Sequence, residues 1–331
     1  MVKILLVVKN DASDGIDLTD QMRRALIALG CDVRIFNFRH LLFHKTGFTN
    51  TILNRLLVRS ALAYKPDLVL VNKGESLLPG VIQRLRDAGM TTANWVLDEP
   101  FGQYFGMANR VQNIPEFDFF FCFDRAYLES IHQAGCRSVH YLPCSASPDV
   151  FYEVIPHDQR KYSYPVSFLG SYQEERVQLL SDIVQRGCPL TVWGYNWRRH
   201  PLAPALSARV INEVPRGRRA NILYNSSAIT LNVTHPQSRT APNLRVFEVP
   251  LTRTFLLTEN LPEMHNLFKV GREIITYKDE EELLSLIKYY GDCPQERYAI
   301  ACAGDARIKQ EHTTFHRVRE ILRTTGVAKL L

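Results

Sequence analysis

The chain has 331 residues and a mass of 38.0 kDa, more than one hydrophobic core usually organises, so two domains are expected. A hydrophobic share of 46% with 22% charged residues excludes long disorder, and no apolar run approaches the ~20 residues of a membrane span. The net charge of +6 divides unevenly: residues 1–150 hold 16 Lys and Arg against 15 Asp and Glu, and residues 151–331 hold 24 against 19. That excess is thin for a duplex nucleic-acid binder and suits a phosphate-bearing small ligand on the second half.

The first elements alternate. Val2–Val8 reads as a buried strand; its apolar core of five residues is too short for a signal peptide. A polar loop, Asn10–Gly15, leads to a helix from Asp17 to Leu29, stopped by Gly30. Strands follow at Cys31–Phe38, Leu68–Val71, Thr92–Leu97, Phe117–Phe123 and Ser138–Leu142. Helices lie between them at Thr49–Ala63, Val81–Ala88 and Ala126–Gln133. Short apolar strands interleaved with helices imply a parallel, doubly wound sheet covered on both faces.

Pro143, Pro148, Pro156 and Pro165 then interrupt the pattern, as in a linker. Alternation restarts with strands at Pro165–Leu169, Leu190–Trp193, Ile229–Asn232, Thr254–Leu257 and Ile274–Tyr277. Helices are expected at Glu174–Arg186, Arg218–Asn225, Leu244–Pro250 and Glu280–Tyr290. Two helical segments, Gln295–Gln310 and Thr314–Thr324, finish the chain. The expected fold is thus α/β, two doubly wound domains facing a cleft. Residues 1–150 form the first and 151–310 the second, with a terminal helical segment at 311–331. Ligands of such sheets bind beyond the carboxyl ends of the strands.

The seven cysteines are odd in number, which excludes a fully paired disulfide framework, and form no C-x-x-C, which excludes the common zinc-ribbon spacings; reduced thiols and a cytoplasmic location are expected. There is no P-loop, no G-x-G-x-x-G after the first strand, no G-x-S-x-G and no H-E-x-x-H. His312 and His316 stand four apart without that glutamate, so a packing pair and no metal site is expected.

Four segments just after strands carry chemistry. Gly170-Ser171, followed by a helix that includes Arg176, offers small residues and backbone N–H groups to a phosphate, or makes an ordinary turn. Trp193–Arg199 puts two tryptophans in five residues; Trp193 reads as a plug, and Tyr195, Asn196 and Trp197 as a site wall that stacks a base or grips a diphosphate. Asn232 and His235 lead through Arg239 and Thr240 to Asn243, Arg245 and Glu248 at a helix start. There Arg245 would hold an anion and Glu248 a diol such as ribose; as a pair alone, the two would form an i,i+3 ion pair. Asp98 and Glu99, pinned by Pro100, form either a catalytic acid pair or a solvated turn.

The order and spacing of these segments resemble the CgeB-like (spore maturation protein CgeB) glycosyltransferases of the GT-B superfamily. The resemblance runs from about Asn94 to Arg319. It includes Trp95–Pro100, Phe117–Asp124, Tyr141-Leu142-Pro143, Phe168–Arg176, Gly194 with Trp197, and Asn232. Pro242-Asn243-x-Arg245-x-Phe247-Glu248, Phe255–Thr258, Glu281-Glu282-Leu283 and His312-Thr313 with Arg317 complete it. It implies two Rossmann-like domains in the GT-B fold, with the acceptor on the first and a nucleotide-sugar donor, UDP- or dTDP-linked, on the second. The terminal segment would pack back on the first domain.

The resemblance also implies transfer to an acceptor hydroxyl without a metal or other cofactor, and Glu248 as the ribose ligand. Thr240 stands where many relatives carry a glutamate that contacts the donor sugar. No D-x-D occurs, so the departing diphosphate would meet Gly170, Ser171, Arg239 and Arg245, while Asp98 orients or deprotonates the acceptor. Acceptors among glycans, proteins, lipids and small molecules stay open. A nucleotide-sugar epimerase or hydrolase of the same fold, and a two-lobed binding protein without chemistry, share the fold.

Overall fold

The computed structural model describes residues 1–9, 18–39, 47–102 and 108–330. The loop expected at Asn10–Gly15 and the helix start at Asp17 lie outside them. Two compact units emerge: Met1–Cys144 with Gln237–Ala241 and Thr314–Leu331, and Ser145–Pro236 with Pro242–Thr313. The chain passes from one to the other at Cys144, ahead of the expected residue 150, and five residues from the middle of the second half belong to the first unit.

The first unit holds six parallel strands: β1 (Lys3–Val8), β2 (Asp32–Asn37), β3 (Leu68–Asn72), β4 (Thr91–Val96), β5 (Phe119–Cys122) and β6 (Val139–Tyr141). Their order is β2-β1-β3-β4-β5-β6. β3 is buried at every residue and β1 at all but its first, which is why they read as unbroken apolar runs. β2 lies at the edge, and Arg34 and Ile35 are exposed there. Helices Leu18–Ala28 and Thr314–Thr324 pack on each other within this unit.

The second unit holds β7 (Tyr164–Leu169), β8 (Leu190–Trp193), β9 (Val210–Ile211), β10 (Ser227–Asn232), β11 (Phe255–Glu259) and β12 (Ile275–Tyr277). All pairs are parallel, in the order β12-β11-β10-β7-β8-β9. The two-residue β9 has too little pattern to be read from sequence. The chain winds outward from β7 to β9, then restarts at β10 on the other side of β7. The crevice where winding reverses lies at the carboxyl ends of β7 and β10, the ligand position in doubly wound sheets. Leu169 and Asn232 end those strands, so the loops at 170–173 and 233–236 lie at the reversal.

Candidate functional site

Two guanidiniums stand at the crevice of the second unit. Arg176, on helix Glu174–Gln185, is only 5% exposed. Its Nε donates to the Val233 carbonyl at 3.1 Å and its Nη1 to the Ser171 carbonyl at 2.9 Å, bolting together the loops that follow β10 and β7. Burial, and then the charge of Arg245, pull its guanidinium down to about 10. It remains cationic at neutral pH. The carboxylates of Glu259 and Glu175 offset part of this pull, and two cations so placed still favour a further anion. The Nε of Arg245 is buried and has no hydrogen-bond partner among the described residues. An unmet buried donor costs about 1–3 kcal/mol, so this one marks a place for an acceptor.

The start of helix Arg245–Leu251 is fixed by a chain of amides. Thr258 accepts from Asn232 Nδ2 at 2.9 Å, Asn232 Oδ1 accepts from Asn243 Nδ2 at 3.0 Å, and Asn243 Oδ1 accepts from the Arg245 backbone N–H at 3.0 Å. One turn on, Glu248 accepts from the buried Tyr224 hydroxyl at 3.1 Å and forms no ion pair with Arg245 among the described residues. Burial pushes the Glu248 carboxyl up, against the pull of Arg245 and Tyr224. Glu259, at the end of β11, accepts from the Thr234 N–H at 3.0 Å and from its hydroxyl, pinning the loop after β10.

Other expected residues lie elsewhere. Trp197 is wholly buried, edge-on to Phe168 and Tyr172, with its indole N–H on the Gly170 carbonyl at 2.7 Å. This corrects the reading of Trp197 as a site wall: its large apolar ring gains most in the core. Trp193 is the half-exposed one of the two. A Cβ on Gly194 would lie 1.9 Å from the Gly170 carbonyl oxygen, and one on Gly170 would lie 2.6 Å from Phe168. Both glycines therefore serve loop-on-loop packing. Ser171 and Tyr195 are exposed, and Asn196 takes the left-handed φ of 68° that closes the turn. Asn232 is fully buried with its amide spent on Thr258 and Asn243, so it positions the helix start. His235 is half-buried on the loop after β10. His312 is buried with Nε2 2.9 Å from the Leu267 carbonyl. No group of three or more His, Cys, Asp or Glu suited to a metal occurs among the described residues.

Arg239 and Thr240 belong to the first unit. The fully buried Asp124 carboxylate, just past β5, accepts from the backbone N–H groups of Arg239 (2.7 Å), Thr240 (2.9 Å) and Ala241 (3.2 Å). It also accepts from the Thr240 hydroxyl and the Ala126 N–H. The hydroxyl of Thr240 is thus committed to Asp124, and the Arg239 guanidinium sits 4.8 Å from the Tyr127 ring. The role expected for Thr240 beside a donor sugar is corrected accordingly.

Asp98 and Glu99 part company. Glu99 is fully buried and accepts from the Phe101 N–H at 2.6 Å, which corrects its reading as a catalytic acid: it braces the turn. Asp98 is partly exposed, and Lys73 Nζ lies 2.9 Å from its Oδ2. Lys73 follows β3 and holds a left-handed φ of 73°. For a non-glycine residue that costs of order 1 kcal/mol or more, a strain found where a side chain must be aimed. Lys73, Tyr224 and Glu259 escaped sequence reasoning, and Asp124 entered it only as the end of the Phe117–Asp124 stretch, without a role. The Lys73-Gly74 step after a strand was a faint signal for the first; the other three act through long-range contacts with no local pattern.

Residues 175–323 match the family model described as glycosyl transferase-like. No curated protein matches the chain. Solved structures of similar fold include sucrose-phosphate synthase from Thermosynechococcus elongatus (12% identity, TM-score 0.69, 99% of this chain and 100% of that one). Anabaena HepE, solved in complex with UDP and glucose, matches at 15% identity and TM-score 0.69 over 99% and 100%. UDP-GlcNAc 2-epimerase from Methanocaldococcus jannaschii matches at 12% and 0.56 over 97% and 99%. At these identities the likeness is one of fold, and the fold is GT-B.

Proposed function

Starting from an enzyme of GT-B fold that is glycosyl transferase-like over residues 175–323, we propose that it moves a sugar from a nucleoside diphosphate donor to an acceptor hydroxyl. The narrower kinship with CgeB-like enzymes, resting on the segments quoted above, is part of this proposal. So is a cytoplasmic location, which suits seven free cysteines, five of them buried.

The observation that carries the reading is the unpartnered Arg245 Nε beside Arg176 at the winding reversal of the second unit. A diphosphate supplies the missing acceptor and neutralises both guanidiniums. Glu248, one helical turn from Arg245, accepts hydrogen bonds from the ribose diol. In the reaction the bond from the anomeric carbon to the diphosphate breaks as the acceptor oxygen bonds to that carbon. The departing charge falls to fixed guanidiniums that need no reorganisation. The hydroxyl proton passes to Asp98, held in the first unit by Lys73. UDP in the HepE complex makes uridine the first base to test.

Two outcomes are expected. Calorimetric titration should show UDP binding that Glu248→Ala or Arg245→Ala weakens by about 1–3 kcal/mol, the scale of hydrogen bonds to charged groups. Because the Glu248 carboxyl is pushed up, it gains a proton at a higher pH than an ordinary glutamate on acidification. UDP affinity should fall with it, and Glu248→Gln should flatten that profile. Unchanged affinity in both alanine variants would place the nucleotide elsewhere. Product analysis with labelled UDP-sugar separates transfer from an epimerised or hydrolysed donor.

Transfer is also expected to survive EDTA, since Arg176 and Arg245 can take the diphosphate charge. A loss of rate reversed by Mg or Mn would reject metal independence.

A further inference from the structure

Charge is segregated within the first unit's sequence. Residues 33–66 hold six Lys or Arg and no Asp or Glu, whereas the rest of the first 150 residues hold ten against fifteen. Helix Gly47–Tyr64 lies in this acid-free stretch. Its inner side is Leu53, Leu57, Val58, Ala61 and Tyr64, all buried. Ile52, Arg55, Leu56, Arg59 and Leu62 recur at spacings of three and four, and so share the opposite face. All five are exposed, with Ile52 at 40%, Leu56 at 37% and Leu62 at 47%. Arg55 and Arg59 make no ion pair among the described residues. Arg34, on the edge strand β2, adds a cation 4.2 Å from the ring of Tyr64 at the end of the helix.

Branched apolar side chains on the outer face of a surface helix lose free energy to water unless something covers them. We propose that this face docks on an anionic membrane surface. Aliphatic side chains set between guanidiniums fit that partner: the former enter the headgroup boundary and the latter pair with lipid phosphates. Net positive charge without a single carboxylate in the stretch is drawn to a negative leaflet. A nucleic-acid surface would instead call for stacking aromatics or base-reading amides, and this exposed face holds neither. No helix among the described residues is long and apolar enough to cross a membrane. Docking here is independent of the transfer chemistry.

The test is co-sedimentation of the full chain with vesicles of phosphatidylcholine alone, or with about a third phosphatidylserine. Binding is expected to the anionic vesicles only, and to fade between about 0.05 and 0.5 M salt as the charges are screened. Arg55→Glu/Arg59→Glu should lower the partition coefficient at least about tenfold, given the worth of one basic residue near such a surface. Ile52→Ser/Leu56→Ser/Leu62→Ser should lower it as well. Arg216→Glu/Arg218→Glu, equal in charge change but exposed on the second unit, should leave it intact. Circular dichroism and UDP titration confirm that the variants are folded. No binding to anionic vesicles, equal binding to neutral ones, an equal loss in both charge-reversal pairs, or capture by duplex DNA in place of vesicles would each overturn the proposal.

Discussion

Replacing Asp98 by asparagine is expected to lower single-turnover transfer by about 10²–10⁴-fold, the range lost when a positioned base is removed. UDP affinity should stay within a factor of about two, because the nucleotide groups proposed here all lie in the second unit. The substitution keeps the size and one acceptor oxygen but removes the charge that takes up a proton. Its partner, Lys73, supplies an internal control. If the carboxylate merely neutralised that ammonium, Lys73→Gln/Asp98→Asn would recover the rate. If Asp98 acts on the acceptor hydroxyl, the double variant stays as slow as Asp98→Asn. A single variant that turns over normally, or one that loses UDP, would remove Asp98 from the proposed role.

Asp124→Ala should be the most damaging change to the fold of the first unit. It would strand the N–H groups of Ala126, Arg239, Thr240 and Ala241 and the Thr240 hydroxyl. Water entering the vacated space satisfies some of them. The expected net cost is roughly 3–5 kcal/mol, the scale for removing one side of a buried charged network. Thr240→Val removes a single bond and should cost about 1 kcal/mol. Since two units need not unfold together, the informative readout is amide hydrogen exchange at residues 239–241. Their protection should collapse in Asp124→Ala and largely persist in Thr240→Val. Exchange unaltered in Asp124→Ala would mean that this carboxylate does not hold the segment.

The backbone architecture was legible in the chain because burial on both faces writes itself as unbroken apolar runs. Lys3–Val8 and Leu68–Asn72 read as interior strands for that reason, and the glycines that end helices punctuated them. The positions of Arg245 and Glu248 were legible for a related reason: a polar loop after a strand, followed by a helix, is a local pattern. Long-range packing decided the rest. Trp197 and Trp193 look alike in sequence, yet only the first found a cavity lined by Phe168 and Tyr172 with an acceptor for its indole. Asp98 and Glu99 are neighbours of one chemistry, yet successive side chains leave a strand end in different directions, one toward Lys73 and one into the interior. No spacing links Asp124 to residues 239–241, more than a hundred positions away. Their joining is a consequence of a buried carboxylate needing donors and a loop needing acceptors, which only the folded chain brings together.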